Sequence, residues 1–454
     1  MKLWDELKGN FVAFKDKSRT VKMYVCGPTV YDTPHLGHLK TYTVYDALAK
    51  YLKFSGYSVL YIQNITDIDD KIINRALEIR DDPMSLSEKY TKEYMDIMRK
   101  AGIDSVSFYA KATRSVPDII NQIRVLERRG FVYRLPDGMY FRVWMDRNYG
   151  VLSRQVPENQ VSGKRAKVSE LKEDPRDFVL WKFRKPGEPY WKSPWGDGRP
   201  GWHVEDSAII LRYLGTSFHI HGAGADLKFP HNESELSLMR CMKGNSNICK
   251  AWTYSGVIRI NGEKMSKSLN NGISAREILD KYSVEAIRYA FLSSNYSSEM
   301  DFSWGMMDEA SQNVSYLNRA FTRIRTMKHG AVEIGARNYA ETFFGYLDDN
   351  FNTRMALVTL YEVSSEIFKH EEISEDEAGI LNKMFMVGQE VLGVIRNHES
   401  ISIEPGTVVS LLELRKRLKQ MKMYGESDSI RSALSESGII VEDSGEDVTW
   451  FKER

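Results

Sequence analysis

Two histidines bracket a leucine and a glycine in His35-Leu36-Gly37-His38, and two lysines stand far downstream in Lys264-Met265-Ser266-Lys267-Ser268. Imidazoles on either side of a glycine at a helix start can donate to phosphate oxygens, aided by unpaired backbone N–H groups and the helix dipole. Gly37 would leave room there for a base or a ribose. The ammonium groups of Lys264 and Lys267 can neutralise charge that develops on a phosphate as it is transferred. Alone, an H-x-x-H can equally be a structural or metal-binding pair, and a Lys- and Ser-rich pentapeptide an ordinary solvated loop. Found together and in this order, they point to nucleoside triphosphate chemistry.

These residues need elements to hold them. The apolar run Val21, Met23, Tyr24, Val25 and the turn signal Gly27-Pro28 precede the first segment, and Leu39 to Leu52 reads as a helix. Ser58-Val59-Leu60-Tyr61-Ile62 then reads as a second strand. This βαβ rhythm predicts a doubly wound parallel sheet whose ligands lie beyond the carboxyl ends of its strands, so that His35 and Thr66 face one crevice. From about Gly130 to Gly198 the pattern turns irregular and reads as an insertion. Sheet character is expected to return at Ala208-Ile209-Ile210 and Phe218-His219-Ile220. Beyond Trp304, helical patterns over Gln312 to Thr326, Asn338 to Phe351, Met355 to His370 and Glu375 to Val394 predict a bundle. The last segment reads as a basic helix from about Pro405, a helix from Asp428 to Ser437, and a strand-like Gly438 to Val441 ahead of Trp450.

The 454 residues allow several domains and a large core, and 42% hydrophobic with 28% charged residues is an ordinary globular composition. No apolar run approaches membrane-spanning length, and the first residues lack the apolar core of a signal peptide, so a cytoplasmic protein without membrane contact is expected. Three cysteines, Cys26, Cys241 and Cys249, argue against a disulfide framework. The formal charge of +1 neither requires nor excludes nucleic acid, and the basic clusters at Arg319 to Lys328 and Arg415 to Lys422 are as readily solvated helix faces.

Further motifs carry a resemblance. Tyr24-Val25-Cys26-Gly27-Pro28-Thr29-Val30-Tyr31-Asp32 leading into His35-Leu36-Gly37-His38, Asn64 to Lys71, Asp177 to Lys182 and Gly198 to His203 resemble cysteinyl-tRNA synthetases, class I enzymes with a Rossmann core. The Lys264 to Ser268 loop, Asp349 to Thr353 and Asp428 to Trp450 extend the likeness over essentially the whole chain.

The resemblance implies an α/β fold: residues 1–129 and 201–252 as the halves of a Rossmann-type doubly wound catalytic domain, and 130–200 as a connective insertion. Residues 253–310 become a linking region with the lysine loop, 311–404 a helical bundle and 405–454 a small anticodon-binding region. It implies activation of L-cysteine by ATP to cysteinyl-adenylate and transfer to the end of cysteine tRNA, by a monomer. His35, His38, Lys264 and Lys267 would be catalytic, and Gly37, Gly222, Gly224, Asp226 and Lys267 would bind ATP with Mg2+. Thr66 and Trp202 would contact the amino acid, and Arg431, Asp443 and Trp450 the anticodon. Alone, these last three could equally be a surface charge, a turn carboxylate and a packed aromatic.

Cysteine differs from serine only by sulfur for oxygen, and a zinc ion that takes the thiolate would tell them apart. Cys26, His231 and Glu235 match three of the family's zinc ligands. Taken singly, they could be a buried structural thiol and an exposed helical pair. The fourth position, a cysteine in the family, is Asp206 here, which predicts a harder site that holds zinc less tightly. His219, Ala223, Asn232, Asn270 and Ser297 also depart from the family pattern. The Ala223 methyl is expected to crowd the adenine. Such changes keep two alternatives open: transfer of the activated cysteine to another amine, or a tRNA-binding paralogue with weak catalysis.

Overall fold

Five parallel strands centre the computed structural model, which describes residues 1–14, 19–154, 171–244, 248–264, 272–396, 405–436, 439–444 and 447–452. An N-terminal hairpin, β1 (Lys2–Asp5) and β2 (Asn10–Ala13), comes first. Strands β3 (Thr20–Val25), β4 (Ser58–Ile65) and β5 (Phe108–Lys111) then alternate with helices α1 (Leu36–Phe54), α2 (Asp70–Ile79) and α3 (Pro83–Lys100). Helix α4 (Val116–Arg128) leads into β6 (Val132–Leu135), β7 (Gly138–Phe141), β8 (Phe178–Phe183) and β9 (Gly198–Pro200). These four form an antiparallel sheet of their own inside the span expected to be irregular. The sheet resumes after α5 (Trp202–Tyr213) with β10 (Phe218–Gly224), α6 (Glu233–Lys243) and β11 (Cys249–Ser255).

The strand order is β11-β10-β3-β4-β5, all parallel. The chain winds outward from β3 in one direction and later returns to its other side, so a crevice opens beyond the carboxyl ends of β3 and β10. Alternation along β3 serves both layers: Val21, Met23 and Val25 join the apolar cluster around α1, while Tyr24 and Cys26 join the one beneath α5 and α6.

Ala208-Ile209-Ile210 is not a strand. It lies within α5, where every residue from Val204 to Ile210 is buried. A helix enclosed on all sides loses its polar stripe, and its apolar run then mimics a buried strand.

Past β11, a small sheet forms from β12 (Ile258–Ile260), β13 (Glu263–Lys264) and β14 (Met300–Phe302), with α7 (Ala275–Lys281) and α8 (Val284–Leu292) between its last two strands. The bundle follows as α9 (Trp304–Thr326), α10 (Ala336–Asp348), α11 (Thr353–Ile367) and α12 (Glu375–Val387). Helix α9 starts eight residues before the expected Gln312 because the Ser303 side chain accepts from the Met306 N–H and caps it. Finally α13 (Pro405–Gln420), α14 (Tyr424–Glu436) and a hairpin of Ile439–Ser444 with Asp447–Lys452 share a small core of Val408, Leu412, Leu434, Ile439 and Val441.

Candidate active site at the sheet crossover

Helix α1 opens with its own histidines as caps. His35 Nδ1 accepts from the Gly37 N–H at 3.1 Å, and His38 Nδ1 accepts from the His35 N–H at 3.3 Å. Their rings stack with centroids 3.9 Å apart. Because both Nδ1 atoms accept, both neutral rings carry their proton on Nε2, the atom a phosphate oxygen would meet. Burial, with His35 and Lys71 nearby, holds His38 well below the ordinary imidazole range, which keeps that tautomer neutral.

Beside this helix start, the exit of β3 lies hard against β4. A side chain on Gly27 would stand 1.7 Å from the Asn64 carbonyl oxygen, so only glycine fits. That closeness brings Cys26, at the end of β3, toward residues from α5 and α6. Cys26, Asp206, His231 and Glu235 are all buried, and their donor atoms lie within 4.8 Å of one another. His231 Nε2 is 3.0 Å from Asp206 Oδ2 and 2.8 Å from Glu235 Oε1. His231 sits in the turn just before α6 and Glu235 in its first turn, which gives the four-residue spacing one shared face.

Each of the four has a supporting partner. Asn64 Nδ2 donates to Asp206 at 2.9 Å, and His221 Nε2 meets Glu235 at 2.8 Å. Asn232 Nδ2 donates to Cys26 Sγ at 3.2 Å and to Glu235 at 2.9 Å. His203 Nδ1 lies 3.0 Å from His231 Nδ1. Burial, with His231 alongside, pulls His203 down to about 3, so its neutral Nδ1 accepts the His231 proton and leaves Nε2 facing the cluster.

The electrostatics call for a cation. Burial pulls His231 down, but Glu235 and Asp206 prevail and push it up to about 10. Burial raises the Cys26 thiol well above its usual range, and Glu235 and Asp206 raise it further. Burial also raises Asp206, against the pull of His231. A divalent ion would offset this buried negative charge and favour the thiolate, so the donor set fits a metal.

Thr66 and Trp202 border the cluster. Thr66 Oγ1 donates to Glu205 at 2.6 Å and accepts from Asn64 Nδ2 at 3.2 Å. Trp202 stacks on His231 at 4.2 Å, and the Lys71 ammonium stands 5.7 Å from the indole.

The chain matches the family model described as "tRNA synthetases class I (C) catalytic domain" over residues 13–312. It is 40% identical to the cysteine–tRNA ligase of Thermoplasma volcanium, covering 100% of both chains. It is 39% identical to that of Thermococcus gammatolerans, covering 95% of this chain and 94% of the relative. The chain belongs to the cysteine–tRNA ligases. In fold, this member of the cysteine–tRNA ligases is similar to a Mycobacterium tuberculosis methionyl-tRNA synthetase solved with methionyl-adenylate. The TM-score is 0.60 at 13% identity, covering 83% of this chain and 90% of that one.

In this ligase chain the remaining expected residues fall in varied settings. Asp226 is exposed in the turn after β10, next to Gly224. The space a Gly222 side chain would need is filled by the Tyr45 ring of α1, at 2.6 Å. The Ala223 methyl points the other way, into the apolar cluster under α5 and α6, so the fold accommodates it there. His219 Nδ1 accepts from the Lys22 N–H at 3.0 Å, and the Ser297 hydroxyl donates to Asn295 at 2.9 Å. Lys264 ends β13, while Lys267 and Asn270 lie outside the described residues. Arg431, on α14, reaches the Val441 carbonyl at 3.5 Å, and Asp443 pairs with Val448 in the terminal hairpin. Trp450 is partly buried against the small C-terminal core.

Sequence reasoning assigned no role to Asn64, His203, Glu205 or His221. Three of these flank assigned residues in chain order, and their hydrogen bonds become visible only once the strands are assembled. Among the described residues, no helix is long and apolar enough to cross a membrane.

Proposed function

We propose that this chain activates L-cysteine with ATP and esterifies the end of cysteine tRNA. The observation that carries this reading is the buried Cys26, Asp206, His231 and Glu235 quartet placed beside the doubly capped start of α1. In the first step the cysteine carboxylate attacks the α-phosphorus of ATP, the bond to the bridging oxygen breaks, and pyrophosphate leaves. In the second, a hydroxyl of the tRNA's terminal adenosine attacks the acyl carbon and AMP leaves. His35 and His38 offer their Nε2 protons to the phosphates, with Mg2+ accompanying ATP. Lys264 and Lys267 balance charge on departing pyrophosphate, and Asp226 takes the ribose hydroxyls. Thr66 and Trp202 orient the amino acid.

Cys26, Asp206, His231 and Glu235 would hold zinc, which supplies a Lewis acid that takes a thiolate far more readily than an alcohol. His203, Asn232, His221 and Asn64 fix the direction of those four donors. Asp206 retains the charge of a thiolate but is a harder donor, so zinc binds less tightly than to a set with two sulfurs. Arg431, Asp443 and Trp450 belong to the tRNA-reading end.

Cysteine-dependent exchange of pyrophosphate into ATP, run with serine as competitor and with zinc content measured on protein purified without chelator, tests the reading. Exchange with cysteine, rejection of serine and bound zinc are expected. Serine-equal exchange would overturn the discrimination, and full activity without metal would overturn the zinc assignment.

A further inference from the structure

Lys40 lies on α1, two residues beyond His38, and is wholly buried. Its ammonium donates to the main-chain oxygens of Gly256 at 2.7 Å and Ser298 at 3.0 Å. Among the described residues it forms no ion pair. Glu299, the carboxylate that acts on it, is itself bound to Arg259 at 2.6 Å. Burial pulls the Lys40 ammonium down to about 8, with Glu299 opposing. A buried ammonium that meets only neutral acceptors is expensive, and an apolar side chain of the same length would fill the space without that penalty.

What the ammonium joins explains its presence. Gly256 links β11 to β12, and Ser298 lies just ahead of β14. The two segments touch: a side chain on Gly256 would stand 1.9 Å from the Ser298 oxygen. Strand β12 pairs with β14 on one side and with β13, which ends in Lys264, on the other. One side chain therefore bolts the root of the small sheet to the helix whose first turn holds the histidine pair. A second tie lies nearby, where the Leu36 N–H donates to Ile273 at 3.1 Å and the Ala275 N–H to Pro34 at 2.8 Å.

We propose that Lys40 is a positioning residue for adenylate formation, clamping Gly256 and Ser298 to α1 and so setting the strand that carries Lys264 against His35 and His38. This rests on the reading of those residues as phosphate-handling groups. On that same reading the quartet receives the amino acid, and the hydrogen bonds that hold its side chains come from Asn64, His203, His221 and Asn232, not from Lys40, Gly256 or Ser298.

Lys40→Met and Gly256→Ala loosen the clamp from opposite sides, the second with the ammonium intact. Two readouts on the full-length protein decide. In both variants, amide hydrogen exchange is expected to speed up at residues 257–264 and 300–302 and to stay unchanged in β3, β4 and β10. The turnover of cysteine-dependent pyrophosphate exchange is expected to fall on the order of 100-fold, as misplacement by about an ångström does. The Michaelis constant for cysteine and the single-turnover transfer of preformed adenylate to tRNA should hold steady, and Lys40→Arg should recover much of the loss. Unchanged activation in both variants, an equal loss in activation and transfer, or faster exchange throughout the central sheet would each overturn the proposal. If either variant does not fold, the other decides, and Lys40→Gln, which keeps a donor but removes the charge and the reach, serves as the third. It is expected to lose activation as Lys40→Met does, and unchanged activation in it would overturn the proposal. If the parent protein shows no cysteine-dependent exchange, the functional reading fails, and the amide data still decide the clamp.

Discussion

Asp206 concentrates the chemistry of this site in one carboxylate, with His231 at its Oδ2 and Asn64 donating to its Oδ1. It is wholly buried, 3.0 Å from His231, and oriented by Asn64, so it stands ready to act as a donor even though it is not the expected sulfur. Asp206→Cys is therefore expected to bind zinc more tightly than the parent in a chelator competition. Asn232→Ala removes the amide that donates to both Cys26 and Glu235, and should weaken metal affinity roughly 10- to 100-fold by the same assay. His35 can be split into its two roles. His35→Asn keeps a side chain that caps helices well, so the melting temperature should hold, while loss of the imidazole should lower pyrophosphate exchange by about 100-fold. At this scale the sequence was informative wherever chemistry forces a residue type: Cys26, Asp206, His231 and Glu235 converge in one buried cluster, and the histidine pair opens α1. It was silent on His203 and Glu205, whose meaning comes from a neighbour's ring or hydroxyl that only folding supplies.

Elements report their boundaries through caps and their identity through exposure. Helix α1 begins at Leu36, three residues before the expected Leu39, because the His35 and His38 side chains cap it and so belong to its first turn and not to the loop ahead of it. The strand expected at Ala208 failed because no residue from Val204 to Ile210 faces solvent, so the helical stripe is missing over that stretch. The insertion sheet was invisible because short antiparallel strands joined by Pro- and Gly-containing turns resemble loop. That sheet is pinned to the α2 start by Asp70, which meets Arg199 at 2.6 Å and Lys182 at 2.5 Å. Burial raises the Asp70 carboxyl, but Lys182 and Arg199 prevail and lower it to about 2. A carboxyl depressed on folding stabilises the fold above its ordinary range near 3.8 and loses that effect as pH falls toward 2. In acid unfolding titrations followed by circular dichroism, Asp70→Asn should therefore flatten the loss of stability between those limits.

Across the whole molecule, the C-terminal unit is held by its own small core, and Trp450 helps to build it. Trp450→Ala should thus raise the Michaelis constant for tRNA by loosening that unit while leaving cysteine activation intact, which charging and exchange assays run side by side would reveal. The broad order of sheet, insertion, bundle and tail was legible from periodicity, since long helices and parallel strands write strong patterns. How distant segments meet was not. The Trp4 N–H donates to Asn350 across 346 residues, and Lys2 bridges to Asp349. Likewise β3 is flanked by β10, which emerges far later than β4. During synthesis on the ribosome, one edge of β3 must therefore wait for its neighbour, an interval of roughly ten to forty seconds at ordinary elongation rates. Until then the native order β11-β10-β3-β4-β5 cannot be completed, so the crevice at the carboxyl ends of β3 and β10 is among the last features of the catalytic half to form.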